Sequence, residues 1–240
     1  MTSHYLEDMG TNLTRGLIKG ASVRNIFGTV GETANIVTGS FRTPWEVAGD
    51  YVFPSSALVM TVTSDIGTTA DDGVVVLILG LDADYNEISD VVTINNATPP
   101  TTTAFFRIND AIITSGNATG NISITNGGVT YSKIIAGTGR DQKSVYTVPA
   151  GHCFLLTRID AFCTDANGGK AARFRNFITS SNGRILRVAD TTFFDKLNVL
   201  RVAPFKYDEK TDIKMQLRSL SGSTFGSVFA EGILVNEALI

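Results

Sequence analysis

Short runs of apolar–polar alternation, separated by turn-forming clusters, recur from residue 58 to the end of the chain. Nothing else in the sequence limits the fold as tightly, because a period of two places successive side chains on opposite faces of a strand. Residues 58–63 (LVMTVT) form the first clear run. Residues 74–81, a turn at 82–87 and residues 88–94 read as a hairpin. So do 121–125 and 129–135 around Asn126-Gly127-Gly128, since Asn-Gly supplies the positive φ values of a tight turn. Between them, residues 104–109 run into 111–114. Further on, 144–148, 153–163, 172–179, 185–188, 213–218 and 228–235 repeat the pattern. The 29 Thr agree with it, because Thr favours strands over helices. This pattern predicts an all-β protein of two antiparallel β-sandwich domains, of jelly-roll or immunoglobulin-like type.

A polar, Gly-bearing stretch at 137–142 sets the boundary between them, giving a first sandwich over 55–141 and a second over 142–240. Residues 1–54 differ in character, with seven Gly and no sustained period. They read either as a long loop with edge strands packed on the first domain, or as an extended N-terminal arm docking on a neighbouring subunit. In the second reading Leu17, Ile18, Val23, Ile26 and Phe27 are the docking side chains. Helical signals are sparse: residues 192–200 suit a turn or two, and residues 3–10 a short N-terminal helix.

The 240 residues carry 20 basic and 23 acidic side chains, a balance that argues against a nucleic-acid footprint. No apolar run reaches the length of a membrane span, and no secretory leader is visible at the start, so neither membrane insertion nor export is expected. Cys153 and Cys163 fall in one β-patterned run. If that strand is continuous their sulfurs lie about 33 Å apart on one face, as buried free thiols with Leu155, Ile159 and Ala161.

Chemical motifs are weak. His4 and His152 make no metal-ligand pair with each other or with the Cys residues. Asp82-x-Asp84-x-Asn86 opens like a calcium loop, but Glu87 stands where Gly is required and Thr93 where a bidentate Glu should be, which leaves a hairpin turn. Gly137-Thr138-Gly139 with Lys143-Ser144 lacks the contiguous Gly-Lys-Ser/Thr of a phosphate loop. No cofactor and no catalytic set is expected. Arginines concentrate in the second half, and alternation puts Arg173 and Arg175 on one strand face, as a solvated stripe or as a face for an anionic glycan or partner.

Residues 80–89 (GLDADYNEIS), 101–109 (TTTAFFRIN), 120–124 (GNISI) and 146–151 (YTVPAG) resemble virion structural proteins of tailed bacteriophages, especially aquatic ones. The similarity spans residues 58–155 and fades toward the C-terminus. It implies a β-sandwich tail fibre, tail appendage or capsid decoration subunit, located in the virion and made in the host cytoplasm. It carries over no active-site residues. The partners so implied are copies of the chain in a trimer or ring, other virion proteins, and a host surface glycan. A carbohydrate-active or glycan-binding protein, using Asp160, Asp165 or Glu231, is the rival class.

Overall fold

The computed structural model describes residues 12–30, 35–66, 69–95, 99–165 and 167–239. As the alternation requires, its regular structure is almost entirely antiparallel strand. Strand β1 spans Ala21–Val30. Then come β2 (Leu58–Ser64), β3 (Val75–Leu81), β4 (Glu87–Thr93), β5 (Pro100–Phe105), β6 (Arg107–Ser115), β7 (Ile122–Asn126) and β8 (Val129–Ile134). The remainder are β9 (Val145–Thr147), β10 (His152–Asp165), β11 (Gly168–Gly169), β12 (Ala171–Thr179), β13 (Ile185–Phe194), β14 (Lys196–Tyr207), β15 (Asp212–Ser219) and β16 (Phe225–Asn236).

Two sheet pairs each enclose a core. In the first, sheet β5-β2-β7-β8 covers sheet β4-β3-β6, with Met60, Val62, Ile78, Phe105, Ile122 and Ile124 between them. The β7–β8 hairpin turns through Gly127 and Gly128, both at positive φ, as the Asn-Gly-Gly sequence demands. The β3–β4 turn is the expected Asx turn: Asp82 Oδ1 accepts hydrogen bonds from the backbone N–H groups of Asp84 and Asn86, each at 2.9 Å. The apparent single run around residue 106 is divided between sheets, with β5 in one and β6 in the other.

In the second pair, sheet β1-β16-β10, with β14 on the far side of β10, covers sheet β13-β12-β15-β9. Phe154, Phe174, Tyr207, Met215 and Leu217 fill the space between. The inward-facing Asn176 is accommodated by donating to the Tyr207 hydroxyl at 2.6 Å. Opposite these large side chains β16 turns Gly226, Val228, Ala230 and Gly232 inward, and only at its far end a large one, Leu234. A Cβ on Gly232 would lie 2.4 Å from the Phe154 ring, and one on Gly226 would lie 3.0 Å from Ile36 and Leu217.

Three expectations change. Residues 21–30 are not a free arm: β1 pairs with β16 along its whole length, from Ala21 opposite Val235 to Val30 opposite Gly226. Ile36 and Arg42 continue onto the same sheet pair through bridges to Thr224 and Leu217, so this segment is built into the second sandwich and meets the first only at its edge, where Arg24 approaches Glu87. Residues 192–200 are strand, not helix; β13 passes directly into β14 at Asp195, whose φ of 64° turns the chain from one sheet into the other. Finally, Cys153 and Cys163 are buried free thiols but do not share a face. Leu156 pairs with Gly232 and Arg158 with Glu231, so Thr157 is an extra residue in β10. That bulge inverts the alternation, and a bulge is how one strand changes which side chains it buries. Phe154 and Leu156 precede it in the core; Ile159, Ala161 and Cys163 follow it there. The proposed helix at residues 3–10, together with His4, lies outside the described residues.

The two sheet pairs are clamped together by polar groups. Arg107, at the start of β6, donates from Nε and Nη2 to the two carboxylate oxygens of Asp212, at 2.8 and 2.9 Å, and from Nη1 to the Pro54 carbonyl at 2.8 Å. Thr147 Oγ1 donates to Asp212 at 2.6 Å, and the Asn109 amide forms a reciprocal pair with the Thr147 backbone.

Candidate interaction surfaces

Among the described residues, no group of three or more His, Cys, Asp or Glu is placed to hold a metal ion. No helix among them is long and apolar enough to cross a membrane. The chemistry on offer lies on the two outer faces of the second sandwich and in a cleft beside it.

The first face is the outside of sheet β1-β16-β10-β14. Because β16 buries Gly226, Val228, Ala230 and Gly232, its partners in the alternation, Phe225, Ser227, Phe229 and Glu231, point outward. Register does the rest. Phe27 on β1 stands directly opposite Phe229, and Phe162 on β10 stands opposite Ser227, diagonal to both Phe229 and Phe225. Diagonal cross-strand neighbours lie about 7–8 Å apart, within reach of aromatic side chains. Phe27, Phe162 and Phe225 are 39%, 46% and 43% exposed. Next to them Arg158 pairs with Asp160 at 2.6 Å, and Leu200 on β14, opposite Arg158, is largely exposed. β14 then bulges outward over residues 201–204, leaving Val202 fully in solvent. A contiguous aromatic patch exposed on a sheet face marks a place for another surface to bind.

Of the five side chains expected to dock, Phe27 joins this patch. Ile26 faces the chain's own core and is unavailable to a partner; Leu17 is exposed, and Ile18 and Val23 are half-buried. Sequence reasoning missed Phe162, Phe225 and Phe229. The signal was the small-residue alternation of Gly226, Val228, Ala230 and Gly232, which reserves the inward side for slender groups.

The second face is the outside of sheet β13-β12-β15-β9. Arg173 and Arg175 do share it. Arg173 donates to Asp190 at 2.9 Å, and Arg187 donates to the same carboxylate at 2.8 Å. The Arg175 guanidinium lies between two rings, 3.7 Å from the Phe41 centroid and 4.3 Å from that of Phe177, and donates to Gln216 at 2.8 Å. Arg218 also lies over Phe41, at 5.0 Å, and Arg187 approaches Phe177 at 5.5 Å. The result is an alternating stack, Arg218–Phe41–Arg175–Phe177–Arg187, in which rings and guanidiniums attract through the ring quadrupole. Burial, and after it the like charge of Arg187, pull the Arg175 guanidinium below its ordinary pKa, while Asp50 and Asp190 oppose the shift.

A cleft of about 510 Å³ lies where β1 approaches β3, β4 and β6, lined by Arg24, Glu87, Asn109, Asp110, Arg140 and Tyr146. Asp110 is held by Arg140 at 2.9 and 2.6 Å. Burial and the neighbouring Asp141 carboxylate nevertheless push its pKa up to about 6. Asp141 in turn is bound by Ser132 and Lys143. The carboxylates considered for glycan chemistry are not gathered here: Asp160 is paired with Arg158, Asp165 with Lys170, and Glu231 stands opposite Arg158 in the sheet.

No family model and no characterised protein matches the sequence. Among solved structures, one of infectious bursal disease virus, Gt strain, is 9% identical with a TM-score of 0.21, covering 92% of this chain and 74% of its own. A crystal structure of an infectious bursal disease virus VP2 subviral particle is 12% identical with a TM-score of 0.23, covering 92% and 73%. Likeness at this level carries no argument about family or function, so the functional reading rests on the chain's own surfaces.

Proposed function

We propose that the chain is a non-enzymatic structural component of a tailed-phage virion, a tail-fibre or tail-appendage subunit that works by assembling with copies of itself and with other virion proteins. The observation that carries this reading is the aromatic patch of the exposed Phe27, Phe162 and Phe225 around the half-buried Phe229. Such a patch on a flat sheet face suits an assembly subunit, which buries it against a neighbour. The resemblance of residues 80–89, 101–109, 120–124 and 146–151 to phage virion proteins points the same way. Proposed domain limits follow the cores: residues 55–141 form an inserted sandwich, and residues 21–54 fold with 142–240.

The test is to label purified particles of the virus encoding the chain with an antibody raised against it. Tail labelling supports the proposal. Uniform labelling of the head moves the chain to a capsid decoration role, and unlabelled particles overturn a virion role altogether. The glycan-active alternative draws on the cleft, which both Asp110, with its raised pKa, and Glu87 line. It requires turnover of host polysaccharide that is abolished by Asp110→Asn.

A further inference from the structure

Charge is divided unequally along the chain. Residues 55–141 carry nine Asp or Glu against three basic residues, Arg107, Lys133 and Arg140, a net charge of −6. Residues 142–240 carry thirteen Lys or Arg against nine acidic residues, a net charge of +4. Residues 1–54 are nearly neutral, at −1. With nine carboxylates the first sandwich cannot neutralise itself: of its three basic residues Arg107 is committed to Asp212 of the second sandwich, and among the described residues Lys143 and Arg24 from outside it reach only Asp141 and Glu87.

Nor do the two halves neutralise each other at the arginine face. Among the described residues, the carboxylate paired with Arg173 and Arg187 is Asp190 of the same sheet, and Asp50 meets Lys214 and Gln216. The clamp explains why. Asp212, opposite Thr179 at one end of β12, is locked to Arg107, which fixes the first sandwich at that end. Arg173 is six residues further along β12, about 20 Å away at the rise of an extended strand. The clamp thus leaves the arginine face away from the end at which the first sandwich is joined.

We infer that the Arg218–Phe41–Arg175–Phe177–Arg187 face of one copy docks on the acidic first sandwich of a second copy, a heterologous head-to-tail contact. Three features favour a second copy as the occupant. Its acidic sandwich complements the face in sign. Asp84, on the turn of the β3–β4 hairpin, is exposed in every copy, and so is Glu87 at the start of β4, though it also lies 3.9 Å from Arg24 of its own chain. The Arg175 guanidinium is also held against Phe41 and Phe177, with its Nε bonded to Gln216, so it meets a carboxylate at little further ordering cost. A heterologous contact closes into a ring or continues as a filament, whereas an isologous one stops at two. This inference rests on the reading of the chain as an assembly subunit and names the contact.

The experiment is sedimentation velocity on the full chain and two variants. Arg187→Glu with Arg218→Glu disables the basic face while leaving the Arg173–Asp190 pair. Asp84→Lys with Glu87→Lys changes the net charge of residues 55–141 from −6 to −2. The wild type is expected to form concentration-dependent oligomers that dissociate on raising salt to about 0.5 M, where screening reaches only a few ångströms. Each variant alone should be a monomer with an unchanged circular-dichroism spectrum. Mixed, the two should form 1:1 dimers and nothing larger, because each retains one working face. Arg187→Gln with Arg218→Gln repeats the first arm should the reversal fail to fold. A monomeric wild type, variants that oligomerise like the wild type, or a mixture that stays monomeric overturns the head-to-tail contact. Labelled virions alongside any of these results would leave the virion role standing.

Discussion

Arg107 and Asp212, 105 residues apart in sequence, meet through two parallel hydrogen bonds in a site where both side chains are more than nine-tenths buried. The guanidinium also lies 3.8 Å from the Phe106 ring centroid. A buried pair of this kind adds little over an apolar substitute, but breaking it strands a charge. Asp212→Ala is therefore expected to cost about 3–5 kcal/mol in denaturant unfolding. Arg107→Leu combined with Asp212→Leu should cost clearly less. Equal losses in the single and double variants would show that the pair does not act as a unit.

Asp110 makes stability depend on pH. Its folded pKa, about 6, lies above the ordinary carboxyl value of 3.8. The folded state therefore holds a proton that the unfolded state releases, and stability falls as pH rises from about 4 to about 6. The groups around it are Arg140, Asn109, Asp141 and, through Asp141, Lys143 and Ser132. Asp110→Asn should flatten this part of a Tm-against-pH curve and raise the Tm at pH 7 relative to the wild type. An unaltered slope would assign the dependence to another group.

Removing residues 1–44 tests the placement of β1. The deletion takes Ile26, Val30 and Ile36 from the core and leaves β16 an unpaired edge. Each lost side chain of this size costs about 2–5 kcal/mol, and three together rival the stability of a typical domain. The truncated chain should lose near-ultraviolet circular dichroism and aggregate. A truncated chain that stays soluble with native spectra would restore the picture of a detachable arm.

Much of the fold is written in local pattern. The Asn126-Gly127-Gly128 turn, the Asx turn at Asp82 and the clean alternation of Ile213, Met215 and Leu217 each state their structure within a few residues. What stays hidden depends on distant partners. Nothing near Thr157 announces a bulge, because the extra residue is defined only by its register against Gly232 and Glu231. Phe193 and Phe194 resemble a helix face until the sheet crossing at Asp195 is seen. β1 has a mixed pattern because Gly28 must be bare where Pro44 and Ser144 approach: a Cβ there would lie 2.2 Å from the Pro44 carbonyl oxygen. The arginine face is half legible. Alternation puts Arg173 and Arg175 together, but Phe41 reaches them only through the folded segment ahead of β2, and Arg218 only through the pairing of β15 with β12.

The most direct measurement is the number of copies of the chain per purified particle, for the wild type and for Phe27→Ser combined with Phe162→Ser and Phe225→Ser. These rings are exposed, so the triple variant should keep the wild-type spectrum and Tm. If the aromatic face is what binds the chain into the particle, the variant should fall at least tenfold in occupancy, the equivalent of about 1.4 kcal/mol. A folded triple variant present at wild-type copy number would contradict the account.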